Sequence, residues 1–139
     1  VLKKLYDAVK NYPHFKAFVF FSDHGEDPDR GLTHESSKFT YEMSRIPLLA
    51  IFSNVFIQER KEIFNELKKH RDSFWTSDLL YDMLADIIGF SEDMTSKPKY
   101  KLSSKDYKMD ISELTTVHSE RHISDDPHIK QNLFPTEEQ

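Results

Sequence analysis

Four consecutive residues, Asp23-His24-Gly25-Glu26, follow directly on an apolar run, Ala17-Phe18-Val19-Phe20-Phe21. A carboxylate and an imidazole side by side at the carboxyl end of a strand can both turn into one cavity. A loop there no longer sends alternate residues to opposite faces. The glycine lets the backbone turn sharply beside whatever they hold. Asp oxygen with His nitrogen suits a borderline divalent cation such as zinc or manganese. The tetrapeptide reads as part of a metal site, and its flanks must position it.

Those flanks form an α/β alternation. Leu2, Leu5, Val9 and Tyr12 recur at helical spacing, and Pro13 ends that helix because the residue before proline is pushed out of the α region. Residues 16–22 form a continuous aromatic-rich run of the kind buried on both faces, as in parallel sheets. A long loop follows over residues 23–45, and such loops inside compact domains are usually functional or disordered. Residues 46–53 are a second strand, with Pro47 confined to its first turn or to an edge. Residues 58–70 read as a charged helix with a narrow apolar face of Ile63, Phe64 and Leu67. The clearest helix comes next: Thr76 or Ser77 can cap it, and Asp78 suits the positive end of its dipole. Leu79, Leu80, Met83, Leu84, Ile87 and Ile88 form its stripe, Asp82 and Asp86 lie away from that stripe, and Gly89 ends it.

Bulk properties narrow the function. The chain has 139 residues, a net charge of -5, 37% hydrophobic residues and a mean hydropathy of -0.65. That charge argues against a sequence-independent nucleic-acid surface, which would be basic. No apolar run reaches the roughly 18 residues a membrane span needs, and no signal-peptide pattern is present. With no cysteine, a disulfide framework or thiolate metal site is excluded. The apolar residues cluster within the first 90 or so positions, so residues 1–90 are expected to form the domain. Residues 91–139 are expected to be a polar extended tail, packing on it or trailing from it, with short elements near residues 111–117. Two strands do not make a self-sufficient sheet, and the chain opens at Val1 directly in a helical pattern. Both predict a segment of a larger α/β domain.

At this point the residues carry a family resemblance. A helix, then an aromatic strand ending Phe21-Ser22-Asp23-His24-Gly25-Glu26, resembles the metal-binding motif of the sulfatase-like branch of the alkaline phosphatase superfamily. It is most similar to bacterial phosphoethanolamine transferases that modify lipid A and lipopolysaccharide core sugars. His34 falls ten residues after His24, where that family places another active-site histidine. The strand Arg45-Ile46-Pro47-Leu48-Leu49-Ala50-Ile51-Phe52-Ser53 and the helix of residues 78–90 resemble the family's next two elements, in order.

The resemblance implies a partial alkaline-phosphatase-like sandwich, a mostly parallel sheet flanked by helices, with residues 1–90 its C-terminal portion. It implies Asp23 and His24 as metal ligands, with Glu26 a candidate to fix the His24 tautomer. The metal would be a divalent ion, zinc first, with manganese or calcium as alternatives. His34 would be the catalytic residue: holding a second ion, hydrogen-bonding a phosphoryl oxygen, or protonating the leaving alkoxide. The implied partners are a phospholipid donor, a lipopolysaccharide acceptor and the rest of the catalytic domain. A threonine nucleophile upstream of this segment would pass through a covalent phospho-enzyme. Relatives sit in the bacterial inner membrane with the catalytic domain in the periplasm. The alternatives are a sulfatase or phosphodiester hydrolase of the same superfamily, and a catalytically silent metal- or ligand-binding fragment.

Bland readings compete for individual residues. Asp23-His24 could be a turn after a strand, His34 a solvated loop histidine, and Arg45 a solvated charge rather than a phosphate contact. His118 and His122 flank Glu120 in an order unlike the zinc-protease motif and read as surface histidines. Ser22, Thr33 and Thr40 are poor nucleophiles, since nothing near them except the motif could activate a hydroxyl.

Overall fold

The computed structural model describes residues 1–33, 38–90, 97–113, 122–127 and 129. It mixes helix and strand around a two-stranded sheet. The chain divides into two compact units: Val1–Phe21 with Leu48–Met109, and Ser22–Pro47 with Asp110–Gln139.

In the first unit, helix α1 (Leu2–Val9) leads through a tight turn to strand β1 (Ala17–Phe21). Strand β2 (Leu48–Phe52) pairs with β1 antiparallel, in the register Ala17↔Phe52 to Phe21↔Leu48. The mostly parallel sheet expected from the apolar runs is therefore not what these two strands form. A parallel pair needs a crossover that carries the chain back along the sheet, usually on a helix. The described part of the connection holds 3₁₀ turns (Pro28–Arg30 and Tyr41–Ser44) and a lone bridge between Asp27 and Leu32, and it returns the chain beside the end of β1 that it left.

Helices α2 (Asn54–Glu59), α3 (Lys61–Lys69) and α4 (Leu80–Ile88) complete the unit. The single charged helix expected over residues 58–70 is thus two helices that meet at Arg60. Ser53 starts the first of them, its Oγ accepting from the Phe56 N–H at 3.1 Å, a serine cap that satisfies one orphan donor. Phe56, Leu80, Met83, Ile87 and Leu102 form the buried core, with Ala17, Val19 and Phe52 of the sheet packed against it. Phe52 stacks on Phe56 with ring centroids 4.8 Å apart. The opposite sheet face meets α1, where Tyr6 touches Phe18 edge to face. Helices on both faces account for the lack of polar alternation in β1.

Gly89 ends α4 in the left-handed conformation at φ 77°, as its place after the apolar stripe predicts. The opposite face of α4 departs from expectation: Asp82 is buried, and Asp86 accepts from Ser103 and lies 3.4 Å from the Lys101 ammonium. Residues 97–109 fold back onto this unit and place Leu102 in its core. Helical periodicity marks only the apolar side, so a polar side covered by a distant segment leaves no signal. His70 belongs to the same clasp. It is buried, its Nδ1 lies 2.9 Å from Leu102 O, and its ring packs on Tyr107.

The second unit consists of short turns held by side chains. Among its described residues are the 3₁₀ turns Ile111–Glu113 and Ile123–Asp125, the first of them where short elements are expected. No described helix is long and apolar enough to cross a membrane.

Candidate functional site

The motif lies in the second unit, immediately after the chain leaves β1. Ser22 Oγ donates to His24 O at 2.7 Å, and the His24 N–H donates to Asp23 Oδ1 at 3.1 Å. These two bonds curl the backbone so that consecutive side chains converge. His24 Nε2 lies 3.8 Å from Asp23 Oδ1, with His24 half-buried and Asp23 exposed.

The glycine serves a different purpose from the one the sequence suggests. Gly25 is not among the residues with positive φ. Its lack of a side chain admits three backbone carbonyls. A Cβ there would collide with Glu42 O and lie 2.9 Å from Arg45 O and 3.3 Å from Met43 O. The Gly25 N–H donates to Met43 O at 2.8 Å. The motif is therefore seated directly on the turn of residues 41–45.

His24 Nδ1 is 3.1 Å from Gly25 O. A carbonyl can only accept, so Nδ1 carries the proton and Nε2 of the neutral ring carries the lone pair. In that tautomer the Gly25 carbonyl orients the ring at Nδ1. A ligating histidine is ordinarily held in this way.

The pair fits a shared cation. Two ligands at about 2.1 Å on one tetrahedral zinc lie about 3.4 Å apart. The observed 3.8 Å is within a small side-chain rotation of that value. Asp23 and His24 supply two donors, and among the described residues no group of three or more His, Cys, Asp or Glu could hold a metal ion. His34, the expected catalytic residue, lies outside the described residues, as do His118 and Glu120. His122 is described, with Nδ1 3.1 Å from Ser112 O.

Two functional candidates change character. Arg45 is not a simple solvated charge, because its Nε and Nη2 are engaged by Asp126. Thr40, a poor nucleophile by sequence, is buried with its hydroxyl lacking a hydrogen-bond partner among the described residues. Asp27, which the sequence marks only as part of the loop stretch Asp27-Pro28-Asp29, takes a structural role. It is 2% exposed and caps the turn Pro28–Arg30 through the Arg30 N–H at 3.1 Å, while its Oδ2 has only the Arg30 guanidinium at 3.6 Å. The Asp-Pro dipeptide is a turn-start signal that could have disclosed it.

Comparison with protein-family models, with curated proteins and with solved structures gives no match to this chain. The functional reading therefore rests on the residues and their geometry.

Proposed function

We propose that residues 1–139 supply part of the metal site of a sulfatase-like enzyme. It would transfer phosphoethanolamine from phosphatidylethanolamine to a lipopolysaccharide core sugar or lipid A. The observation that carries this reading is the disposition of His24: its Nδ1 is held by Gly25 O, and its Nε2 stands 3.8 Å from Asp23 Oδ1. An N,O pair so arranged is a half-site for a divalent ion, zinc first.

When bound, such an ion polarises a phosphoryl oxygen and lowers the pKa of a coordinated hydroxyl. The rest falls to the chain. Asp23 contributes an anionic oxygen, and His24 a neutral nitrogen. Gly25 lets the loop press onto the turn of residues 41–45, which fixes the pair. His34 would contact the phosphoryl group or return a proton to the leaving alkoxide. A nucleophile and further ligands from other parts of the enzyme complete the site. In this reading β1 and β2 form an antiparallel margin of a larger, mostly parallel sandwich, an arrangement common in mixed sheets. The catalytic domain would work in the periplasm, joined to the bacterial inner membrane.

The test uses the enzyme that contains residues 1–139, with bound zinc measured by mass spectrometry and transfer followed with a fluorescent phosphatidylethanolamine. Asp23→Ala and His24→Ala should each lower zinc affinity by more than about tenfold, the scale at which losing even an outer-shell partner of a ligand begins, and abolish transfer. Wild-type zinc content in both variants sinks the ligand assignment. Hydrolysis of an aryl sulfate without transfer assigns the enzyme to the sulfatases. Zinc binding with neither activity leaves a silent binding segment.

A further inference from the structure

The first unit contains a cavity of about 710 Å³ that the candidate metal site does not use. Its volume falls in the range of small-molecule sites. The buried side of its lining is apolar, with Phe56 of α2 and Ile87 of α4 at the bottom. Toward solvent the apolar Tyr12 and Ile88 alternate with His14, Glu59 and Arg60, and Lys16 lines it beside them.

Their charges do not cancel. Lys16 and Glu59 pair with each other, which leaves Arg60 as the excess cation. No described carboxylate lies within ion-pair reach of the Arg60 guanidinium, which is placed against the end of α4, over Gly89. Its backbone is fixed, because the Arg60 N–H donates to Phe56 O at 2.8 Å and Arg60 O accepts from the Phe64 N–H at 3.0 Å.

A second observation marks the same solvent-facing side. His14 is the one non-glycine described residue at positive φ, 65°. It occupies the third position of a turn that has Pro13 second and is closed by the Phe15 N–H donating to Tyr12 O at 3.1 Å. Glycine or asparagine normally fills that position, and backbone strain of this kind concentrates at ligand sites.

We infer that this cavity binds an amphipathic carboxylate, its apolar body on the Phe56–Ile87 floor and its head group on Arg60. The planar guanidinium matches a carboxylate with two parallel hydrogen bonds, and His14 adds a donor at the rim. The apolar lining rejects a fully hydrophilic anion, and an arginine that no described carboxylate pairs rejects a cationic head.

The probes are decanoate, decanol and decyltrimethylammonium, each titrated into the full 139-residue chain and followed by amide chemical shifts. Decanoate should shift residues 12–19, 59–60 and 84–89 and bind about tenfold more tightly than the other two, the scale of one charge-assisted contact. Arg60→Gln should erase that preference, and Arg60→Lys should keep only the smaller part that charge attraction supplies without the two parallel bonds. Equal affinity for all three probes, or shifts confined to other residues, would overturn the proposal. Self-association that decanoate does not disturb and Arg60→Gln disperses would give the groove to a second copy, and would overturn it also. If Arg60→Gln fails to fold, the ranking of the three probes on the wild-type chain still decides.

Discussion

Arg45 and Asp126, 81 positions apart in the chain, meet through two guanidinium nitrogens and both carboxylate oxygens at 2.9 to 3.1 Å. Asp126 is 1% exposed and Arg45 roughly half-exposed. A buried carboxylate is tolerable only when its charge is met with good geometry, and the planar fork provides that. Arg45 also closes the turn on which Gly25 rests, so this ion pair braces the platform under the candidate metal ligands.

Loss of this pair should loosen the second unit. A double-mutant cycle of Arg45→Ala and Asp126→Ala, read by urea unfolding, should give a coupling of about 1–3 kcal/mol. Arg45→Lys should not restore it, because an ammonium cannot reproduce the two parallel bonds. Coupling near zero would reduce the contact to an incidental surface pair.

Gly25 and Gly31 should respond to alanine for different reasons. At Gly25 a methyl group meets the carbonyls of Glu42 and Arg45, which are backbone atoms with little room to move. Gly25→Ala should cost about 2–3 kcal/mol and reduce metal retention along with it. Gly31 has φ 64° and open space around it, so Gly31→Ala should cost only about 1 kcal/mol of backbone strain and spare the metal. Parallel stability and metal-content measurements on the two variants check this, and equal effects would contradict the seating of the motif on the turn of residues 41–45.

Tyr107 should make the first unit sensitive to alkali. Burial, reinforced by the nearby Asp78 carboxylate, pushes its hydroxyl up to about 12, against about 10 in an unfolded chain. The folded state therefore holds this proton more tightly. The contribution is complete below about pH 10 and is lost as pH rises through about 12. Tyr107→Phe should remove about 1 kcal/mol at neutral pH, since the hydroxyl donates to Phe74 O. It should also flatten the fall of the unfolding midpoint between pH 10 and 12. Identical slopes in the two proteins would refute the assignment.

Much of the local structure is legible in the chain because near neighbours impose it. The 79–88 stripe, the helix stop at Gly89, the aromatic strand before Asp23 and the second strand after Pro47 each depend on residues within a turn or two. The break at Arg60 was harder to see, since Ser53 caps a short helix whose exposed residues lack a strong periodicity. In the site, the convergence of Asp23 and His24 follows from their adjacency, and the local hydrogen bonds complete it.

By itself the sequence determined where most of the helix and strand of the first 90 residues lie, because apolar spacing, helix stops and strand ends act over a few residues. Only the tertiary structure decided that β1 and β2 run antiparallel, that residues 97–109 cover the polar side of α4, and that Asp126 reaches Arg45. It alone showed that Gly25 is small to admit carbonyls rather than to bend. Contacts between residues tens of positions apart are set by which surfaces bury each other and which charges must be met there, and no spacing along the chain records that.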